Sequence, residues 1–226
     1  MKIKMVLFGI LFLISYPLIA ISEVVYSIDF TKMADGDAQT WFKENNYTFR
    51  LDADELNLKF QNGRLVLSND GDVNGLLYKE LEIRGAKRVR IEWGVNKYPP
   101  GIDWENGFFR DGVMLLMTFG NESISSGSFI IPNVPYFIAL FLGEKEQDGK
   151  AYTGRFYKKG GRYICTPCGA PEGKTVVTDF EFDARFKELF NKSEVPHISA
   201  IGIEMDSRDI DSYAEAFIKK IEFLSE

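Results

Sequence analysis

Polar and apolar residues alternate with a period of two along much of the chain. In Val89-Arg-Ile-Glu-Trp-Gly-Val95 the positions Val89, Ile91, Trp93 and Val95 share one face. Arg88, Arg90 and Glu92 share the other. In Val176-Val-Thr-Asp-Phe-Glu-Phe182, Phe180 and Phe182 point one way, and Asp179 and Glu181 the other. Strands of this kind build a sheet that buries one face and leaves the second open to water or ligand. Apolar runs between turn residues predict strands over 22–30, 46–51, 56–60, 64–68, 76–83, 87–97, 112–119, 136–143, 153–158, 161–165, 175–182, 198–205 and 214–224.

One stretch breaks the period. Asp183–Asn191 puts Phe186, Leu189 and Phe190 on one helical face, with Asp183 placed to cap the helix. A series of strands with one short helix near 183–191 predicts an all-β fold, a jelly-roll β-sandwich. No repeat or low-complexity linker divides it.

The first residues change the picture of where this domain starts. Lys2 and Lys4 precede an almost wholly apolar run, Met5–Ala20, and Ala20 and Ser22 are small. That pattern predicts a signal peptide over residues 1–22 and a single domain over 23–226. It also predicts a periplasmic or secreted protein with no stable membrane anchor after cleavage. Removing two lysines and no acid takes the formal charge from −6 to −8. An acidic surface excludes nucleic acid as a partner and argues against an anionic membrane surface.

Candidate chemistry sits in four places. Cys165 and Cys168 are the only cysteines. Gly169 follows them where haem attachment needs His, and no helix is predicted behind them to lower a thiol pKa. In an oxidising compartment they are expected to form a disulfide; a redox centre and half of a metal site stay open. The alternating carboxylates Asp179 and Glu181 suit a glycosidase pair, or else a solvated face opposite Arg88 and Arg90. Asp206, Asp209 and Asp211 could hold a structural calcium ion, or form an Asx-stabilised turn. Trp104 lies in a loop with Tyr98, Phe108 and Phe109, either as a sugar-stacking platform or as a hydrophobic plug.

The stretches VRIEWGVNKYPPG, RDGVMLLMTFG, FEFDARFKELF and ISAIGIEMDSRDIDSYAEAFIKKIEF resemble an exported bacterial family known as domain of unknown function 3047. The matching positions are Trp93, Asp111, Phe119, Asp183, Phe190, Asp206 and Asp209, and the resemblance runs from about Leu56 to Phe223. It implies a jelly-roll sandwich similar in outline to carbohydrate-binding modules, and no known activity. The chain departs from that pattern after Asp206, where Ser-Arg-Asp-Ile-Asp replaces Thr-Gly, and in its Cys-Thr-Pro-Cys loop.

The expected function is a non-catalytic module that binds a small molecule or glycan, a saccharide or another cell-envelope ligand. Arg88, Arg90, Glu92, Asp179, Glu181 and Trp104 would make the contact. The alternatives are a glycoside hydrolase or lyase using Glu181 with Asp179, and a thiol–disulfide protein using Cys165 and Cys168.

Overall fold

The computed structural model describes residues 22–209 and 212–226. The expected signal peptide lies outside the described residues except for Ser22, and so does Asp211. Fourteen strands form two seven-stranded sheets. They are β1 (Val24–Asp29), β2 (Gly36–Asp37), β3 (Thr48–Leu51), β4 (Asn57–Phe60), β5 (Leu65–Asp70), β6 (Asn74–Ile83) and β7 (Arg88–Lys97). After them come β8 (Asp111–Ile124), β9 (Val134–Phe141), β10 (Ala151–Tyr152), β11 (Gly161–Cys165), β12 (Val176–Phe180), β13 (Ile198–Asp206) and β14 (Tyr213–Leu224). The first sheet runs β12-β7-β14-β5-β4-β2, with β1 also paired to β14. The second runs β10-β11-β9-β8-β13-β6-β3. Among the described residues only β11 and β9 pair in parallel.

The two sheets face each other as a sandwich, as the alternation requires. Val89, Ile91, Trp93 and Val95 are fully buried on the inner side of β7. Leu115, Met117, Ile201 and Ile203 fill the inner side of β8 and β13. The buried indole of Trp93 keeps a polar partner, its Nε1 donating to Thr178 Oγ1 at 2.9 Å. That hydroxyl in turn donates to Thr166 O at 2.7 Å.

The expected helix is α2 (Phe182–Phe190). Phe186 is fully buried and its ring meets Phe119 and Phe190 at 4.8 Å, closing one end of the sandwich. Asp183 is not the cap. Glu181 occupies that position without a side-chain cap bond, and Asp183 in the first turn accepts from Lys187 Nζ at 2.6 Å. There its carboxylate still meets the positive end of the helix.

Two segments depart from expectation. A further helix, α1 (Gln39–Glu44), buries Phe42 among Phe30, Trp41 and Tyr47. Six residues are too few for a helical period to stand out from a strand pattern. The strand expected over 153–158 does not form; just before it Ala151–Tyr152 forms β10, which pairs with β11. Gly154 instead lies over the Tyr163 ring, where an added Cβ would come within 3.0 Å.

Candidate functional site

The outer face of the first sheet carries the charged residues anticipated there. Arg90 and Asp179 are register partners, and Arg90 donates to Asp179 Oδ2 from both Nε, at 3.1 Å, and a terminal nitrogen, at 2.7 Å. Arg88 Nε lies 3.3 Å from Asp179 Oδ1. Glu92 is paired in register with Lys220, itself bonded to Glu222. Arg88, Arg90 and Asp179 thus pair with one another on a half-exposed exterior. Glu181 does not join them, because β12 ends at Phe180 and the chain turns there into α2. The expected carboxylate pair Asp179 and Glu181 is therefore not one strand face.

Trp104 is only 5% exposed, so it cannot serve as a stacking platform in this conformation. It plugs the wall of the second sheet. Its ring stacks on Phe141 at 4.7 Å, approaches Tyr163 at 4.8 Å and meets Phe109 at 5.0 Å. Its Nε1 donates to Arg110 O at 2.9 Å. Cys165 and Cys168 are joined in a disulfide with Cα atoms 5.5 Å apart, and Cys165 is buried.

A more complex surface lies on the outside of the second sheet. Tyr78, Gly202, Leu116, Ala139 and Tyr163 stand side by side across β6, β13, β8, β9 and β11. The next row holds Leu76, Glu204, Met114 and Phe141. Tyr78, Leu76, Leu116, Glu204 and Tyr163 are partly exposed, whereas Leu77, Leu115, Ile203 and Ile164 on the opposite face are fully buried. Glycine at 202 is needed because a Cβ there would reach within 2.7 Å of Leu76 and 3.3 Å of Leu116. Its absence leaves a low strip in mid-sheet. At the β3 edge the Arg50 guanidinium lies 3.6 Å over the Tyr78 ring.

A polar cluster closes one end of this face. The register of β6, β13 and β8 brings Asn74, Asp206 and Asp111 together. Arg208 grips Asp206 at 2.6 Å and 3.0 Å. With its amide nitrogen turned to Glu204, Asn74 donates to Glu204 Oε1 at 3.2 Å and accepts from Arg208 Nε at 3.3 Å. Asp111 is 1% exposed, and its Oδ1 has no partner among the described residues. Burial, then the carboxylates of Glu204 and Asp206, push the Asp111 pKa upward. Burial, then Asp206, push Glu204 up to about 8. Burial foremost raises the Tyr163 hydroxyl as well.

The expected metal loop is bound up in the same cluster. Asp206 is committed to Arg208, and Asp209 donates its backbone N–H to Asp72 at 3.0 Å and faces Arg110 at 3.5 Å. Among the described residues no three His, Cys, Asp or Glu side chains are arranged to hold a metal ion. Chemically the cluster offers carboxyl groups with raised pKa values, further carboxylate oxygens and guanidinium donors beside an apolar strip. Such a mixture suits hydroxyl groups, which both donate and accept.

Sequence reasoning reached Asp111 and Asp206 but missed Glu204, Asn74, Arg208, Tyr163, Tyr78 and Arg50. One signal was present: Glu204 is the lone acid inside the apolar run Ile198–Met205.

No protein-family model matches the chain, and no curated protein matches it. Among solved structures it is similar to the Emp46p carbohydrate recognition domain in its potassium-bound form. The identity is 15% over 87% of this chain and 95% of that one, with a TM-score of 0.36. It is also similar to the glycoside hydrolase domain of Endo-D from Streptococcus pneumoniae R6, at 8% identity over 80% of this chain and a TM-score of 0.35. The chain spans only 20% of that domain. A third similar structure is the agarase AgWH50C, at 7% identity over 89% of this chain and 24% of that one, with a TM-score of 0.35.

Proposed function

We propose that the protein is an exported, non-catalytic module that holds a saccharide or similar polyhydroxylated envelope ligand on the outer face of the second sheet. The reading rests on one observation above the others: the partly exposed Glu204 carboxyl stands between the Asp206–Arg208 pair and the apolar strip around Gly202. A ligand hydroxyl can both donate to and accept from such a carboxyl, whereas the Asp111 Oδ1 behind it is too buried to be touched. The strip of Leu76, Leu116 and Gly202 would take the apolar face of a sugar ring, with Arg50 and Tyr78 at its rim. We place the protein in the periplasm or outside the cell, and within the family of unknown function that its motifs resemble.

Calorimetric titration against a panel of soluble glycans tests this. Binding is expected to weaken at least about tenfold in Glu204→Leu and in Leu116→Asp, and to be unchanged in Asp179→Asn. Loss in Asp179→Asn with Glu204→Leu unaffected would move the site to the first sheet. Glycan cleavage abolished by Glu204→Gln would make the raised carboxyl a general acid and replace the binding reading by hydrolysis.

A further inference from the structure

The turn between β8 and β9 carries a separate feature. At its tip Phe129 is 111% and Ile130 93% exposed, as open as in an extended peptide. The turn is internally braced. Ser126 Oγ donates to Ile131 O at 2.7 Å, Ser126 N–H to Asn133 Oδ1 at 3.0 Å and Ile130 N–H to Ser128 Oγ at 3.2 Å. The two apolar side chains are thus held outward rather than folded back.

Tyr157 straps a basic segment to this turn. Its N–H donates to Ser126 O at 2.9 Å and its hydroxyl to Pro132 O at 3.0 Å. The strap brings the exposed Arg155, Lys158 and Lys159 beside the tip, and Arg162 braces them by donating to Lys158 O at 2.9 Å. No acidic residue occurs between Gly149 and Pro171, and no charged residue at all from Ser123 to Gly143. In a chain of formal charge −6 this end is distinctly basic.

We propose that this tip docks the protein on an anionic lipid bilayer. Phe129 and Ile130 enter the interface, and Arg155, Lys158 and Lys159 meet the headgroups. A protein partner is the poorer fit. Two protruding residues offer far less than the roughly 800 Å² per side of a stable protein interface. In a bilayer each apolar side chain contributes by itself, and basic neighbours add to it. The net charge, which argued against such a surface, instead orients the molecule, since its acidic remainder is repelled from anionic lipid. Asp111 begins the strand that ends at Ile124, 124 − 111 = 13 residues away. That is roughly 40 Å at strand rise. The polar cluster therefore lies well away from the tip, and the proposal does not depend on what it binds.

The test is co-sedimentation of the full chain with vesicles of phosphatidylcholine alone or mixed with phosphatidylglycerol. Partitioning is expected only with the anionic mixture. It should fall about 100-fold in Phe129→Asp with Ile130→Asp, and at least about tenfold in Lys158→Glu with Lys159→Glu or on raising salt. These side chains are exposed, so an unchanged thermal midpoint will certify the fold. In Phe129→Trp the emission added to that of the three native tryptophans is expected to shift to the blue on the anionic vesicles. Variants that partition like the parent chain, as they would if the apolar residues 5–20 carried the binding, overturn the proposal. So does a concentration-dependent dimer abolished by the tip substitutions without vesicle binding.

Discussion

Replacing Glu204 by Gln probes the polar cluster through stability, without any ligand. In the folded protein burial and the neighbouring Asp206 move this carboxyl from 4.5 up to about 8, against the pull of Arg208. The unfolded chain releases the same proton near 4.5. Between these two values the native state holds more protons than the unfolded state, so stability falls as pH rises and levels off above about 8. The difference, 8 − 4.5 = 3.5 pH units, corresponds to an upper bound of about 5 kcal/mol at 1.36 kcal/mol each. Local relaxation and water entry reduce that to about 2–3 kcal/mol. Gln cannot ionise and keeps the partner for Asn74, so Glu204→Gln should be the more stable protein at about pH 9 by that amount. The two should be nearly equal at about pH 4.5. Asp111, shifted in the same direction, remains in the variant and preserves part of the slope. Urea unfolding followed by circular dichroism at both pH values measures the effect. A variant less stable than the parent at the higher pH would refute the claim that Glu204 is held protonated.

Other substitutions separate core from surface. Phe186→Ala removes a fully buried ring from the Phe119 and Phe190 cluster and should cost about 3–5 kcal/mol in thermal or urea unfolding. Thr178→Val leaves the Trp93 N–H without its acceptor in the core, and about 1–3 kcal/mol should be lost by the same assay. Asp179→Asn breaks a half-exposed pair on the outside of the first sheet and should change stability by less than about 1 kcal/mol. Reducing the bond between Cys165 and Cys168 opens a very small loop, so unfolding under a reductant should show a loss of roughly 2 kcal/mol or less, with the fold retained.

The sandwich was legible wherever one face of a strand was charged. Arg88, Arg90 and Glu92 mark the outside of β7, and the four residues alternating with them are buried as the period requires. The same logic pointed to the first sheet, whereas the proposed site lies on the second. In β8 and β13 both faces are apolar, so Val113-Met-Leu-Leu-Met117 does not reveal which side is half-exposed. The alternation drew attention to charged residues that only pair with each other, and the strip over Gly202 shows no charge. Glu181 was misread because the strand-to-helix switch falls between Phe180 and Phe182, where the period of two still fits locally. The partners of the cluster come from β6, β8, β11 and β13, far apart in sequence, and only their register brings Asn74 and Asp111 to Asp206.

The central claim, that a polyhydroxylated ligand lies on the second sheet's outer face, is tested most directly by methyl NMR during titration with a glycan found to bind. The account predicts shifts at the Leu76, Leu116 and Met114 methyls and none at Val177, which is exposed on β12 of the first sheet. Shifts at Val177 with Leu76, Leu116 and Met114 unmoved would contradict it.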